Sequence, residues 1–234
     1  MTTLSRNARI AGLFYLTLMT APLRLVYIPT KLIVSGNAAA TAGNIAAHQT
    51  LFRLGILTDL FTAVMAIFLT LALYRLFKGV DQFLAALVVV LGALMVTPIY
   101  FLNTLNDAAT LLLVRGADFL SVFDKPQRDA FARLFLDLHH QLDLANFMFA
   151  GLWLFPFGLL VYRSRFLPGF LGVWLTLAGF AWLSFSLTGL LFPAYGDKAF
   201  SITQPIAMGE VATMLWLVIM GAKEKPLAAT ASAS

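Results

Sequence analysis

Six long apolar runs, separated by short polar stretches, constrain the fold of this chain more than any other feature. They cover roughly Ile10–Ile28, Leu54–Phe77, Phe83–Val114, Leu134–Tyr162, Phe170–Phe192 and Gln204–Gly221. Most of them reach the roughly 20 residues that a helix needs to cross about 30 Å of hydrocarbon. The 234 residues are 60% hydrophobic and only 12% charged, an excess that a soluble core of this length cannot bury. We therefore predict an all-α, polytopic transmembrane helix bundle with six spans.

Several details of this bundle also follow from the sequence. The third and fourth runs are longer than a crossing requires, so these helices are expected to tilt or to project beyond the lipid. Pro98 and Pro156 lie inside them, and each removes a backbone hydrogen bond and is expected to bend its helix. The Ala-rich stretch that begins at Ser35 predicts a short helix outside the membrane, between the first two spans. We expect a single transmembrane domain over residues 1–225 and a disordered tail over residues 226–234.

Pairs of basic residues recur at alternate ends of the spans, and they predict the orientation of the chain. The pairs are Arg6/Arg9, Arg75/Lys78, Arg163/Arg165 and Lys223/Lys225. With six spans all four pairs fall on one side, which the positive-inside rule makes cytoplasmic. The first run imitates a signal peptide, but a proline would follow the cleavage site, so we expect it to remain as a span. The net charge of +5 is therefore a topology signal and does not indicate nucleic-acid binding.

Polar residues interrupt the apolar runs, and they lie mainly toward the outer ends of the spans. The clearest example is the stretch LFLDLHHQLDLANFMF, which opens the fourth run. At about 1.5 Å per residue, Asp59 and Asp143 both lie about 26 Å above the cytoplasmic ends of their helices. Ionisable residues at membrane depth are costly and commonly functional. We predict an outward-facing polar pocket with the candidate residues Arg24, Arg53, Asp59, Asn103, Asp107, His139, Asp143, Asn146 and Glu210.

Three functions are compatible with such a pocket. Imidazole and carboxylates, with His139 and Asp143 as weak candidate ligands, would suit a metal-dependent intramembrane hydrolase. The same groups could relay protons or bind a cation in a carrier or sensor. They could also hold helices together in a membrane scaffold or partner subunit. The chain has no cysteine and shows no HExxH, EF-hand or phosphate-loop pattern. Beyond the lipid bilayer as surroundings, these observations leave open the catalytic residues, any cofactor, the substrate and any protein partner.

Several segments resemble one bacterial membrane family, called domain of unknown function 4386. They are FRLGILTDL, LFLDLH, YRSRFLPGFLGVWLTLAG, LWLVIMG and the stretch SGNAAATAGNI. The resemblance extends from about Arg9 to Gly221, nearly the whole chain. It implies a small multi-pass protein of the bacterial inner membrane, and it carries no assigned activity.

Overall fold

The computed structural model describes residues 2–223, and all regular structure within them is helical. Six helical segments are long and apolar enough to cross a membrane, as predicted. These spans cover Thr3–Leu32, Gln49–Phe77, Gln82–Arg115, Lys125–Ser164, Gly169–Leu191 and Pro193–Ile219. The prediction of an all-α bundle with long third and fourth spans is confirmed. The predicted disordered tail lies outside the described residues and stays a prediction.

Residues 2–223 contain nine α-helices, of which all but α3 belong to the spans. They are α1 Thr3–Thr17, α2 Ile28–Leu32, α3 Ala38–Ala47, α4 Gln49–Phe77, α5 Gln82–Val89, α6 Val96–Arg115, α7 Lys125–Ser164, α8 Gly169–Leu191 and α9 Gly196–Ile219. Helix α3 is the short helix predicted between the first two spans, and the side chain of Asn37 caps its first turn. A capping box of Asp124 and Gln127 begins α7 well before the apolar run. The fourth span is therefore longer than the apolar run alone predicts.

Two spans are interrupted in their interior. In the first span a 3₁₀ turn, Leu18–Thr20, and a π-helical turn, Leu23–Tyr27, separate α1 from α2. In the third span the π-helical turn Val90–Leu94 separates α5 from α6. Prolines flank or follow both π turns, and their missing N–H groups disturb the regular hydrogen-bond ladder. By contrast, α7 runs without interruption through Pro156.

Contacts between distant segments place the two ends of the described chain on the same side of the bundle. Ser5 Oγ lies 2.5 Å from the position that a Cβ on Gly221 would occupy. The backbone N–H of Lys223 donates to Phe166 O at 3.0 Å, which brings the loop before α8 to the same side. An even number of spans requires this arrangement. The side that faces the cytoplasm stays a prediction.

The apolar core has two parts with a polar layer between them. The larger part surrounds Phe77 and Phe157 and fills the half of the bundle near the chain ends. The smaller part surrounds Ile45 and Leu136 at the opposite end, under α3. The buried side chains of Arg24, Asp59, Asp107 and His139 lie between residues of these two parts along four spans. The fold therefore encloses these four side chains within the bundle.

Candidate functional site

Arg24 joins carboxylates from two other spans. Its Nε donates to Asp59 Oδ2 at 3.2 Å, and its Nη2 lies 2.8 Å from both carboxylate oxygens of Asp107. The three side chains are at most 5% exposed. A buried charge is tolerated only when it is paired in this way. These contacts connect the first, second and third spans through one ion-pair network.

His139, on α7, adds the fourth span to the network. Its Nδ1 lies 3.0 Å from Arg24 Nη2 and 3.1 Å from Asp107 Oδ1. Its Nε2 lies 3.4 Å from Asp143 Oδ2 and 4.0 Å from Asp59 Oδ2. Both ring nitrogens therefore face carboxylates. We call Arg24, Asp59, Asp107, His139 and Asp143 the polar cluster.

Two asparagines lie close to the polar cluster: Asn103 contacts Asp143, and Asn146 follows Asp143 on α7 by one helical turn. Asn103 Nδ2 donates to Asp143 Oδ1 at 2.8 Å, which holds this carboxylate toward α6. The Oδ1 atoms of Asn103 and Asn146 are both buried and have no hydrogen-bond partner among the described residues. A buried acceptor without a partner costs free energy, which a bound water or ligand would recover. The border of the cluster therefore has unused hydrogen-bonding capacity.

The local structure around Arg24 explains how the guanidinium reaches this position. Arg24 belongs to the π turn of the first span, where the N–H of Ile28 donates to Leu23 O, five residues back. A Cβ on Gly55 would lie 3.0 Å from Arg24 Cδ, so the absence of a side chain leaves room for the arginine stem. The ring of Phe52 lies 5.8 Å from the guanidinium carbon and supports its face.

Glu210, on α9, belongs to a separate polar site. Its Oε2 accepts a hydrogen bond from the Tyr15 hydroxyl at 2.7 Å, and its Oε1 accepts one from Trp182 Nε1 at 2.5 Å. A cavity of about 100 Å³ lies beside it, between the spans. Tyr100 and Asn146 also line this cavity, and Asn146 is one helical turn from Asp143. The two polar sites are therefore neighbours with a cavity between them.

The predicted pocket residues divide into three groups. The structure brings together the five cluster residues and Asn103, and it places Asn146 in the wall of the cavity. It places Glu210 at the second site. Arg53 is exposed and, being six positions from Asp59 on α4, lies on a different face of that helix. Arg53 is therefore not part of the cluster.

The sequence reasoning missed several residues that position the polar groups. Gly55 and Phe52 hold Arg24, while Tyr15 and Trp182 bind Glu210. Gly55 and Asp59 are four positions apart and therefore lie on the same face of α4. A glycine at that position indicates that another segment can approach the helix closely beside the acid. The partners of Glu210 come from distant spans and had no local signal.

A metal ion and Arg24 would compete for the same place. Ligand atoms of Asp59, Asp107 and His139 lie within 4.8 Å of one another. However, Arg24 Nη2 already lies 2.8 Å from the Asp107 oxygens and 3.0 Å from His139 Nδ1. A divalent ion at the shared point would require the guanidinium to move away. The arrangement suits exchange of protons among paired groups better than metal ligation.

Comparison with known proteins places the chain in a family without an assigned activity. The family model described as a domain of unknown function, DUF4386, matches residues 10–221. No curated protein and no solved structure matches the chain. The match covers nearly the whole chain, including every residue of the polar cluster and Glu210. The chain is a multi-pass membrane protein that belongs to the DUF4386 family.

Proposed function

We propose that this protein is a proton-linked carrier or sensor of the bacterial inner membrane, and that the polar cluster takes up and releases protons. One observation carries the proposal: the imidazole of His139 lies between the carboxylates of Asp107 and Asp143. Imidazole is the side chain best suited to gain and lose a proton under physiological conditions. In this role, a change of protonation in the cluster alters the ion pairs that connect the spans.

The charge balance of the cluster supports proton uptake. Three carboxylates face one guanidinium, so the carboxylates outnumber the permanent cation by two. In a low-dielectric interior such an excess is costly, and protons or cations would reduce it. The groups that face His139 are Arg24 from the first span, Asp59 from the second, Asp107 from the third and Asp143 from its own helix. Helices α3, α5 and α8 also pack against α7, and they contain no titratable residue.

The interrupted spans also support this proposal. Arg24 lies in the π turn of the first span, and Gly92, in the π turn of the third, lines the cavity. In known membrane carriers, binding sites commonly lie at discontinuous helices, because interrupted hydrogen-bond ladders free backbone groups and permit local movement. Both π turns lie beside polar sites. A turn that only ended a helix would not need to lie there.

The orientation of the protein forms part of the proposal. The basic pairs at the ends of the spans favour cytoplasmic termini. The polar cluster lies toward the end of the bundle opposite the termini, next to the apolar contacts under α3. With cytoplasmic termini, the cluster therefore lies in the outer half of the membrane.

Infrared difference spectroscopy tests the proton uptake directly. The purified protein in lipid nanodiscs is compared at mildly acidic and mildly alkaline pH, and the carboxylic-acid C=O band is recorded. We expect a pH-dependent band that is lost or shifted in Asp143→Asn and in His139→Gln. The matched control Asp118→Asn removes an exposed carboxylate and should keep the band. A spectrum that is the same in all four proteins would contradict the proposal.

The main alternative is a scaffold in which the cluster only holds helices together. The short contacts of Arg24 with Asp107 favour this reading, because well-paired buried charges specify one arrangement of helices. In a scaffold the ion pairs would stay in one protonation state at every pH at which the protein is folded. The infrared experiment therefore separates the two functions.

A further inference from the structure

The cavity beside Glu210 has the properties of a binding site, and it is independent of the proton exchange proposed for the polar cluster. It lies between the spans and has a volume of about 100 Å³. Most of its lining is apolar, and the polar contributions come from Glu210, Asn146 and Tyr100, with threonines at its sides. Small-molecule sites commonly combine an apolar lining with a few fixed polar groups.

Glu210 is a carboxyl group without a basic partner among the described residues. Its two oxygens accept hydrogen bonds from the neutral donors Tyr15 and Trp182. No basic side chain of residues 2–223 forms an ion pair with it. The two donors fix the orientation of the carboxyl group and carry no charge themselves. A cation in the adjacent cavity would offset the cost of a carboxylate at this depth.

Asn146 provides a second contact point on the cavity wall. Its Oδ1 is buried and has no partner among the described residues. Glu210 and Asn146 both line the cavity, so a ligand inside it can contact both. A ligand with at least two N–H donors would serve both acceptors, and an ammonium group has this property.

Aromatic rings favour an organic cation. Trp153 lines the cavity, and its ring is stacked on Phe157 at 5.3 Å with an interplanar angle of 16°. A Cβ on Gly92 would lie 3.3 Å from Trp153 Cε3, so this glycine allows the indole to pack directly against the third span. A fixed aromatic ring attracts a cation and also covers its methylene groups. Mg²⁺ or Ca²⁺ would need about six oxygen ligands, more than this lining offers.

We propose that this cavity binds a small alkylammonium cation, with Glu210 as the counter-ion and Asn146 as the second acceptor. An apolar cavity of about 150 Å³ is large enough to bind benzene, so a cavity of about 100 Å³ has room for roughly four heavy atoms. The ligand class is therefore a protonated primary amine with a short alkyl chain, of about the size of propylammonium.

Calorimetric titration of the full-length protein in nanodiscs tests this proposal. The probes are propylammonium, the neutral analogue propan-1-ol, sodium ion and the bulky tetrapropylammonium. We expect propylammonium alone to bind with measurable affinity. The binding should weaken by about tenfold or more in Glu210→Gln, because a charge-assisted contact is lost. It should also weaken in Ala66→Leu, which fills part of the cavity while it leaves the carboxylate in place. The control Asp118→Asn, which removes an exposed carboxylate, should bind as the wild type does.

Three results would overturn the inference. The first is a folded wild-type protein that does not bind propylammonium. The second is equal binding by the wild type and Glu210→Gln. The third is binding of tetrapropylammonium or propan-1-ol as tight as that of propylammonium, which would indicate partition into lipid or a surface site. The probe series on the wild type decides the question even if a variant does not fold. None of these results depends on the infrared band of the polar cluster. The experiment can therefore contradict the cation-binding proposal without contradicting the proposed proton exchange.

Discussion

At the scale of single residues, Arg24 has the largest energetic role in the polar cluster. Its guanidinium contacts Asp59, Asp107 and His139, and all four side chains are nearly or completely buried. Removing one member of such a network leaves the others charged and unpaired. The cost of that state, more than the strength of the intact pairs, determines how the protein responds to substitution.

Replacing Arg24 should therefore destabilise the fold strongly. We expect Arg24→Leu to lower the free energy of unfolding by about 3–5 kcal/mol, because two carboxylates lose their cation. The double variant Arg24→Leu with Asp107→Leu should recover part of this loss, since apolar side chains replace the buried pair. Unfolding in one detergent, analysed as a double-mutant cycle, measures the coupling. Arg53→Leu, at an exposed position, serves as the control. Strictly additive losses would show that the pair is not coupled.

Asp107 and Asp59 should differ in importance. Asp107 receives two contacts of 2.8 Å from Arg24 and lies 3.1 Å from His139, whereas Asp59 receives one contact from Arg24 at 3.2 Å. Hydrogen bonds to charged groups contribute about 1.5–3 kcal/mol each. We expect Asp107→Asn to reduce the free energy of unfolding by at least about 1 kcal/mol more than Asp59→Asn does. Chemical denaturation of the two variants side by side checks the order, and equal losses would contradict it.

At the scale of helices, small residues allow α7 and α8 to pack with their backbones in contact. A Cβ on Gly158 would lie 2.7 Å from Gly172 O, and a Cβ on Gly172 would lie 2.5 Å from Gly158 O. Gly151 and Gly179 repeat this mutual contact two turns away. Helices in lipid associate through such close packing, because the lipid offers no hydrophobic driving force between them. This contact holds α7, and with it His139 and Asp143, at a defined position in the bundle.

The same substitution at two glycines should have opposite effects. Gly172→Ala places a methyl group against a backbone carbonyl, so we expect a loss of about 1–3 kcal/mol in the free energy of unfolding. Gly43→Ala, in the exposed part of α3, meets no atom within 4 Å. Because alanine favours the helix, the gain there should be about 0.5–1 kcal/mol. Thermal unfolding of both variants measures the difference. If Gly172→Ala left the free energy of unfolding unchanged, the two helices would be able to separate at little cost.

The π turns act at this scale as well. Each one places an extra residue in its turn, which rotates the rest of the helix by about 100° relative to a continuous α-helix. In the first span this rotation sets which residues after α1 face the bundle. Arg24 is within the turn itself and faces the carboxylates of the second and third spans. The irregular backbone is therefore part of what positions the site.

At the scale of the whole molecule, Arg9, Arg163 and Lys223, which belong to three of the basic pairs, lie near one end of the bundle. Arg9 Nη2 donates to Ile219 O at 3.2 Å, and Arg163 Nη1 lies 3.1 Å from Asp81 Oδ2. The two termini of the bundle and the short loops before α5 and α8 thus share one side. Basic residues on one side of a bilayer are retained in the cytoplasm during insertion.

Reporter fusions test this orientation. Fusions after Lys78 and after Arg165 should report the cytoplasm, whereas a fusion in the loop at Lys125 should report the opposite side. The double variant Arg163→Asp with Arg165→Asp removes one basic pair and should lower correct insertion or expression. The double variant Arg115→Asp with Arg128→Asp, at the opposite end, is the matched control and should insert normally. The same report from the Lys125 and Arg165 fusions would contradict the span count.

The sequence by itself determined the properties that depend on local composition and on helical rise. The six spans, the short helix α3 and the common end of the basic pairs follow from apolar run lengths, cap residues and alternation along the chain. The depth of the carboxylates also follows, because each residue of a helix advances by about 1.5 Å whatever its neighbours are. These properties require no knowledge of how the helices pack.

Only the tertiary structure decided which polar groups meet. Arg24 and Arg53 were equal candidates in the sequence, but the π turn directs the first into the bundle and the face of α4 directs the second outward. Glu210 was assigned to the same pocket as Asp59, and the packing of α9 against α1 and α8 gives it Tyr15 and Trp182 as partners. The direction in which a side chain points around a helix axis depends on helix rotation and on irregular turns. Both are set by contacts between segments that are distant in the chain, and no local pattern records them.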